Sequence, residues 1–134
     1  MKDLETINYV ESEKGNSFQW GSNDCNIFIL KYLDTVWGRD LLKEAYKKYN
    51  DKESAVEFQG EYTHTISKAI IKTGATRIPP SFARMGDILV IDFGIYELCH
   101  LCLGNSFASV PEDGKTEITR LDDLKAFDWA LRIN

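Results

Sequence analysis

Cys25 ends the stretch Phe18-Gln19-Trp20-Gly21-Ser22-Asn23-Asp24-Cys25, and the run from Cys25 to Val36 is apolar enough to be a largely buried helix. Asn23 and Asp24 are good N-cap residues, so the spacing predicts a helix that begins at the cysteine. A free thiol is only about 3% thiolate at pH 7 and is a poor nucleophile unaided. The unpaired N–H groups and positive dipole end of a helix favour the anion, so thiol chemistry is possible at this position. The plainer alternative is a cysteine that merely packs, since free Cys is among the most buried residue types.

His100 lies between Cys99 and Leu101 on an apolar segment. Such a histidine is more often a hydrogen-bonded core residue than a catalytic one. It shares a strand face with Cys102, which raises a metal reading with Cys25, His100 and Cys102 as soft ligands. Zinc sites pair one Cys-x-x-Cys with a second such pair, and none exists here. Cys99-x-x-Cys102 would also split across the two faces of a strand, so neither a metal nor another cofactor is expected. His64 is expected on the polar side of its helix, solvated. Asp87 is expected to bind turn amides, Trp20 to wall any cleft, and Trp37 and Trp129 to join the core.

The elements that must position these residues fall into two halves. Leu4, Ile7 and Val10 recur at helical spacing up to Gly15, and the Cys25 helix stops at Gly38. Asp40 is read as the cap of a third helix carrying Leu42, Ala45, Tyr46 and Tyr49 on one face. Ser54 to Phe58 forms a short helix, and Tyr62, Ile66, Ala69 and Ile70 mark another that ends at Gly74. Pro79-Pro80 separates these helices from strand signals: 88–92, 98–103, 107–110, 116–119 and 129–133. Helices first and an antiparallel β-meander second give an α+β fold, with 1–134 a single domain.

Composition bounds the function. Of the 134 residues 43% are hydrophobic and 28% charged, ordinary for a globular domain. A net charge of -5 speaks against sequence-independent nucleic-acid binding. No apolar run approaches the roughly 20 residues of a membrane span. Met1-Lys2-Asp3 leads into an acidic amphipathic segment, unlike a signal peptide. The three cysteines cannot all pair within the chain and read as reduced thiols of a protein made in the cytosol.

An aromatic-x-Trp-Gly-x-x-Asp-Cys entry, a core helix, Gly86-Asp87-Ile88-Leu89-Val90-Ile91 and a His-bearing strand ending Leu103-Gly104 together resemble the NlpC-type branch of papain-like thiol hydrolases. The resemblance extends to Ala83-Arg84-Met85 and the closing Trp129-Ala130-Leu131-Arg132-Ile133, and is nearest to a compact, phage-encoded, tail-associated branch. It implies Cys25 as nucleophile, His100 as base, and a polar third member, Ser109 or, as second choice, Asn105. It further implies a peptidoglycan peptide as substrate, or other phage tail or virion proteins as partners, for a chain made in the host cytoplasm and incorporated in a virion. Two departures are visible. Aligned on Leu103-Gly104, the family's histidine falls at Leu98, about 6 to 7 Å along the strand from His100. Phe18 stands where the active family carries a tyrosine hydroxyl that helps hold an oxyanion. The competing expectation is therefore a catalytically degenerate structural protein that keeps the fold.

Overall fold

A computed structural model describes residues 2–61, 66–123 and 126–134 of the chain. His64 and Tyr62 fall outside the described residues. Helix α1 spans Asp3–Glu13, α2 Cys25–Trp37, α3 Lys52–Glu61 and α4 Ile66–Ile71. The strands are β1 Thr76–Ile78, β2 Ile88–Asp92, β3 Glu97–Cys102, β4 Ser106–Ser109, β5 Glu117–Arg120 and β6 Trp129–Arg132. The expected α+β arrangement of N-terminal helices and a C-terminal antiparallel sheet is present. No helix among the described residues is long and apolar enough to cross a membrane.

The core is organised around α2. Ile27, Phe28, Ile29, Leu30, Tyr32, Leu33 and Val36 are all buried, so the helix is covered nearly all round. The polar stripe is narrow: Lys31 and Thr35 are exposed and Asp34 half-buried, all on one side of the last two turns. Each buried apolar side chain contributes about 1.5–3 kcal/mol. Helix α1 packs on one side, where the Tyr9 hydroxyl donates to the Phe28 carbonyl at 2.6 Å. The sheet packs on another, through Val90, Cys99, Leu101, Ala108 and Leu131. Gly38 ends the helix in the left-handed conformation (φ 67°), a C-cap that glycine adopts without a Cβ penalty.

The sheet order is β1-β6-β2-β3-β4-β5, antiparallel throughout. Strands β2 to β5 form the expected meander, but β6 returns to pair with β2 and carries β1 outside it. Strand β1 has no counterpart in the sequence-based expectation. It is three residues long, mostly exposed, and held by pairing Thr76, Arg77 and Ile78 with Arg132, Leu131 and Ala130. The far face of the sheet, away from α2, carries a smaller cluster of Leu89, Cys102, Phe127 and Ala130.

The helix expected from Asp40 to Tyr49 is not formed; only a 3-10 turn spans Leu42–Glu44. Asp34 explains the difference, because its carboxylate accepts from the N–H groups of Leu41 and Leu42 at 2.8 and 3.1 Å. Lys47 then turns to positive φ (59°) and donates its N–H to the Gly21 carbonyl. The segment buries Ala45 and Tyr49 as the periodicity suggested, but against the Gly21 loop and not as a regular helix. Asp87 is structural as expected: it accepts from the Arg84 N–H at 2.9 Å and pairs with Arg132 at 2.7 Å.

Candidate functional site

Cys25 is the first residue of α2, and Asp24 is its N-cap with extended backbone (φ −117°, ψ 178°). One Asp24 oxygen accepts from the Ile27 N–H at 2.9 Å; the other accepts from the Gly21 N–H at 2.9 Å and the Tyr49 hydroxyl at 2.7 Å. Gly21 has to be glycine: its φ is +81°, and a Cβ there would collide with the Tyr49 carbonyl. The loop 18–24 is thus tied to the Tyr49 segment and to the start of the helix through one buried carboxylate.

A second set of contacts joins α2 to β3. The Asn26 amide donates to the Glu97 carbonyl at 2.8 Å and accepts from the Cys99 N–H at 3.0 Å. Gln59 accepts from the Glu97 N–H at 3.0 Å and donates to the same carbonyl at 3.2 Å. Two side-chain amides therefore do for β3 what a neighbouring strand would do, because β4 pairs only with Leu101 and Cys102. Burying those backbone groups unpaired would cost about 1–3 kcal/mol each. A polar Asn inside the apolar run after Cys25 was the visible signal for this contact. Nothing in the sequence signalled Gln59.

Cys25, His100 and Ser109 line one cleft of about 500 Å3, together with Trp20, Tyr96 and Leu98. Within it the thiol is buried and donates to the Val110 carbonyl at 3.3 Å. A donor hydrogen bond to a carbonyl stabilises the protonated form. Burial, with the adjacent Asp24 carboxylate, pushes the Cys25 thiol up to about 11. Phe18, in place of a tyrosine, packs edge-on against Trp20 with ring centroids 4.9 Å apart.

His100 alternates with Cys99 and Leu101, which face α2, so its ring goes to the far face of the sheet. There it packs edge-to-face on Phe107 and Phe127, at centroid distances of 5.5 and 5.3 Å. It reaches the cleft where β3 and β4 part, beyond the Leu101–Ala108 pair. Its Nδ1 is buried and has no hydrogen-bond partner. Ser109 lies on the cleft wall, whereas Asn105 sits in the β3–β4 turn with its carbonyl accepting from the Leu121 N–H. Among the described residues, no group of three or more His, Cys, Asp or Glu side chains is placed to hold a metal ion.

Burial lowers the His100 imidazole from its usual 6.5 to about 4, opposed by a smaller contribution from the Leu89 backbone. Between those values the unfolded chain takes up a proton that the folded chain refuses, so stability falls as pH drops from 7 towards 4. The shift corresponds to about 3 kcal/mol. In urea unfolding at pH 7 and pH 4, wild type should lose about that much more than His100→Phe. Equal losses in the two proteins would show that His100 is not held neutral by burial.

No curated protein matches this sequence. Residues 3–129, nearly the whole length, match one family, and the chain belongs to it: Domain of unknown function (DUF6950).

Proposed function

We propose that this chain is a non-hydrolytic protein on an NlpC-type, papain-like scaffold, serving as a structural component of a phage tail or virion. The observation that carries the reading is the disposition of the two expected catalytic groups. The Cys25 thiol is spent on the Val110 carbonyl, and the His100 ring is packed against Phe107 and Phe127, which also touch each other, on the far face of the sheet. A thiol hydrolase needs its base within hydrogen-bond reach of the sulfur and a sulfur that ionises near neutral pH. Burial holds Cys25 as a thiol and His100 as a neutral ring, each opposite to the thiolate–imidazolium state. The order of the Trp20-Gly21, Asp24-Cys25, Gly86-Asp87 and Leu103-Gly104 motifs, together with the helices-then-sheet arrangement, supports the scaffold.

One observation favours a hydrolase as the second reading: Cys25 begins α2 and shares a cleft with His100 and Ser109. In that case His100 would take the thiol proton and the thiolate would attack an amide carbonyl of a peptidoglycan peptide. Helix-terminal N–H groups would hold the oxyanion, the amine would leave with the proton that His100 had taken, and water would then hydrolyse the thioester to a carboxylic acid and return the thiol. Purified cell walls decide between the two. Wild type and Cys25→Ala should give the same turbidity traces and release the same muropeptides as buffer. Hydrolysis by wild type that disappears in Cys25→Ala overturns the non-hydrolytic reading.

A further inference from the structure

We propose that the Cys25 cleft is a docking site for a partner protein, which lays one arginine against the aromatic walls and pairs its guanidinium with Glu112. The assignment rests on the non-hydrolytic reading of the same cleft, which leaves the cavity to a partner. Its starting point is the lining. Phe18, Trp20, Phe93 and Tyr96 all line the cavity of about 500 Å3. A cation over an aromatic face is attracted by the ring, and more strongly where water is excluded. The chain makes one such contact within itself, where the Arg77 guanidinium lies 3.8 Å from the centre of the Trp129 ring.

Charge points the same way. Glu112 is exposed on the rim and, among the described residues, has no ion-pair partner. Asp24 stands in the wall with its oxygens holding three donors, so it acts through its charge and not as a ligand. Burial raises the Tyr96 phenol, and the Asp24 and Glu112 carboxylates raise it further, so this wall lies in a negative field. Against the two carboxylates stands Lys52, exposed at the start of α3, while His100 is kept neutral by burial. The balance favours a cation. Arginine suits the site better than lysine, because its planar guanidinium stacks on rings and meets a carboxylate through two N–H groups at once.

The lip of the cleft points to a protein as the source of the guanidinium. Phe93 and Ile95, at the tip of the β2–β3 hairpin, are 60% and 69% exposed, and both border the cleft. A small guanidinium compound inside the cavity leaves such a lip wet, whereas a protein surface carrying the arginine covers it. Lys52, of opposite sign to Glu112, gives the rim the mixed polar border of a protein interface.

The peptide acetyl-Gly-Gly-Arg-Gly-Gly-amide, its citrulline counterpart and ethylguanidinium serve as probes, with binding followed by the ring resonances of Trp20 and Tyr96. Citrulline keeps the size and planarity of arginine and lacks its charge. Wild type should bind the arginine peptide about 10-fold tighter than the citrulline peptide, the combined effect of a ring contact and one exposed ion pair. Glu112→Gln should cut that preference by about 2- to 5-fold, and about 1 M salt should do the same, since the pair is exposed. The arginine peptide should bind tighter than ethylguanidinium. The combined Phe93→Ser and Ile95→Ser variant should lose that gain while keeping the preference for arginine over citrulline.

Equal affinity of wild type for the arginine and citrulline peptides, or no shifts of the Trp20 and Tyr96 rings at millimolar probe, overturns the anchor. An unchanged preference in Glu112→Gln overturns the pairing with that carboxylate. An arginine peptide that binds no tighter than ethylguanidinium overturns the protein partner. Cell-wall hydrolysis is scored separately, so failure of the anchor leaves the non-hydrolytic reading standing, and hydrolysis by Cys25 removes that reading without moving the arginine-to-citrulline ratio.

Discussion

At pH 7, Cys25 should react with iodoacetamide at about one-hundredth of the rate of a free thiol, and the rate should keep rising tenfold per pH unit past pH 9. The position alone argues for the opposite result, because a helix N-terminus favours a thiolate. Magnitudes decide between them. The dipole is worth about 0.3–1 kcal/mol, less than one pKa unit, whereas burial moves a titratable group by up to about 3–5 units. Here burial is the largest influence and the Asp24 carboxylate adds to it, so the thiol moves from 9.0 up to about 11. Two units are a hundredfold fewer thiolates, and the thiolate is the species that is alkylated. Cys99 and Cys102, both fully buried, should react more slowly still. Mass-spectrometric site-by-site rates across pH 6 to 10 make the comparison. A Cys25 titration midpoint below 7 would require an imidazolium at the sulfur and would restore the hydrolase.

How much of this was legible depended on whether local chemistry or a distant contact set each feature. Helix α2 was readable end to end because Asp24 caps it, Gly38 stops it and most of the residues between are apolar. Strands β2 and β3 were readable because each is a short apolar run beside a glycine turn. The segment from Asp40 to Tyr49 has helical periodicity, yet Asp34 just upstream and Gly21, far from it in sequence, supply hydrogen bonds that hold it otherwise. Strand β1 has almost no burial of its own and exists through β6 and the Arg77 guanidinium, which stacks 3.8 Å from the Trp129 ring.

At the site, alternation put Leu98 and His100 on one face of β3, but nothing local says which face α2 covers. That is decided by the Asn26 clasp on Glu97 and Cys99. The acceptor of the Cys25 thiol is a main-chain carbonyl at Val110, and a carbonyl has no sequence signature. Candidate residues were thus visible one by one, while their mutual geometry was a property of the packing.

Replacing Asp24 with alanine should cost about 4–6 kcal/mol, a large share of the 5–15 kcal/mol that a domain of this kind holds in total. Loss of an N-cap contributes about 1–2 kcal/mol. The remainder comes from the Gly21 N–H and the Tyr49 hydroxyl, both left buried without an acceptor at about 1–3 kcal/mol each. Tyr49 cannot escape by ionising, since burial and the nearby carboxylate hold its phenol protonated. Asp24→Asn separates the parts: asparagine caps as well as aspartate, but its amide presents an NH2 to donors that need an acceptor. It should therefore recover the cap and lose about half as much as alanine. The same variant removes a negative charge beside Cys25, so its alkylation should speed up relative to wild type while the protein becomes less stable. Urea midpoints measure the first effect and site-resolved alkylation the second. An Asp24→Ala loss below about 2 kcal/mol would reduce Asp24 to an ordinary cap, with the loop 18–24 held by something else. Unchanged Cys25 kinetics in Asp24→Asn would leave burial alone as the reason the sulfur stays protonated.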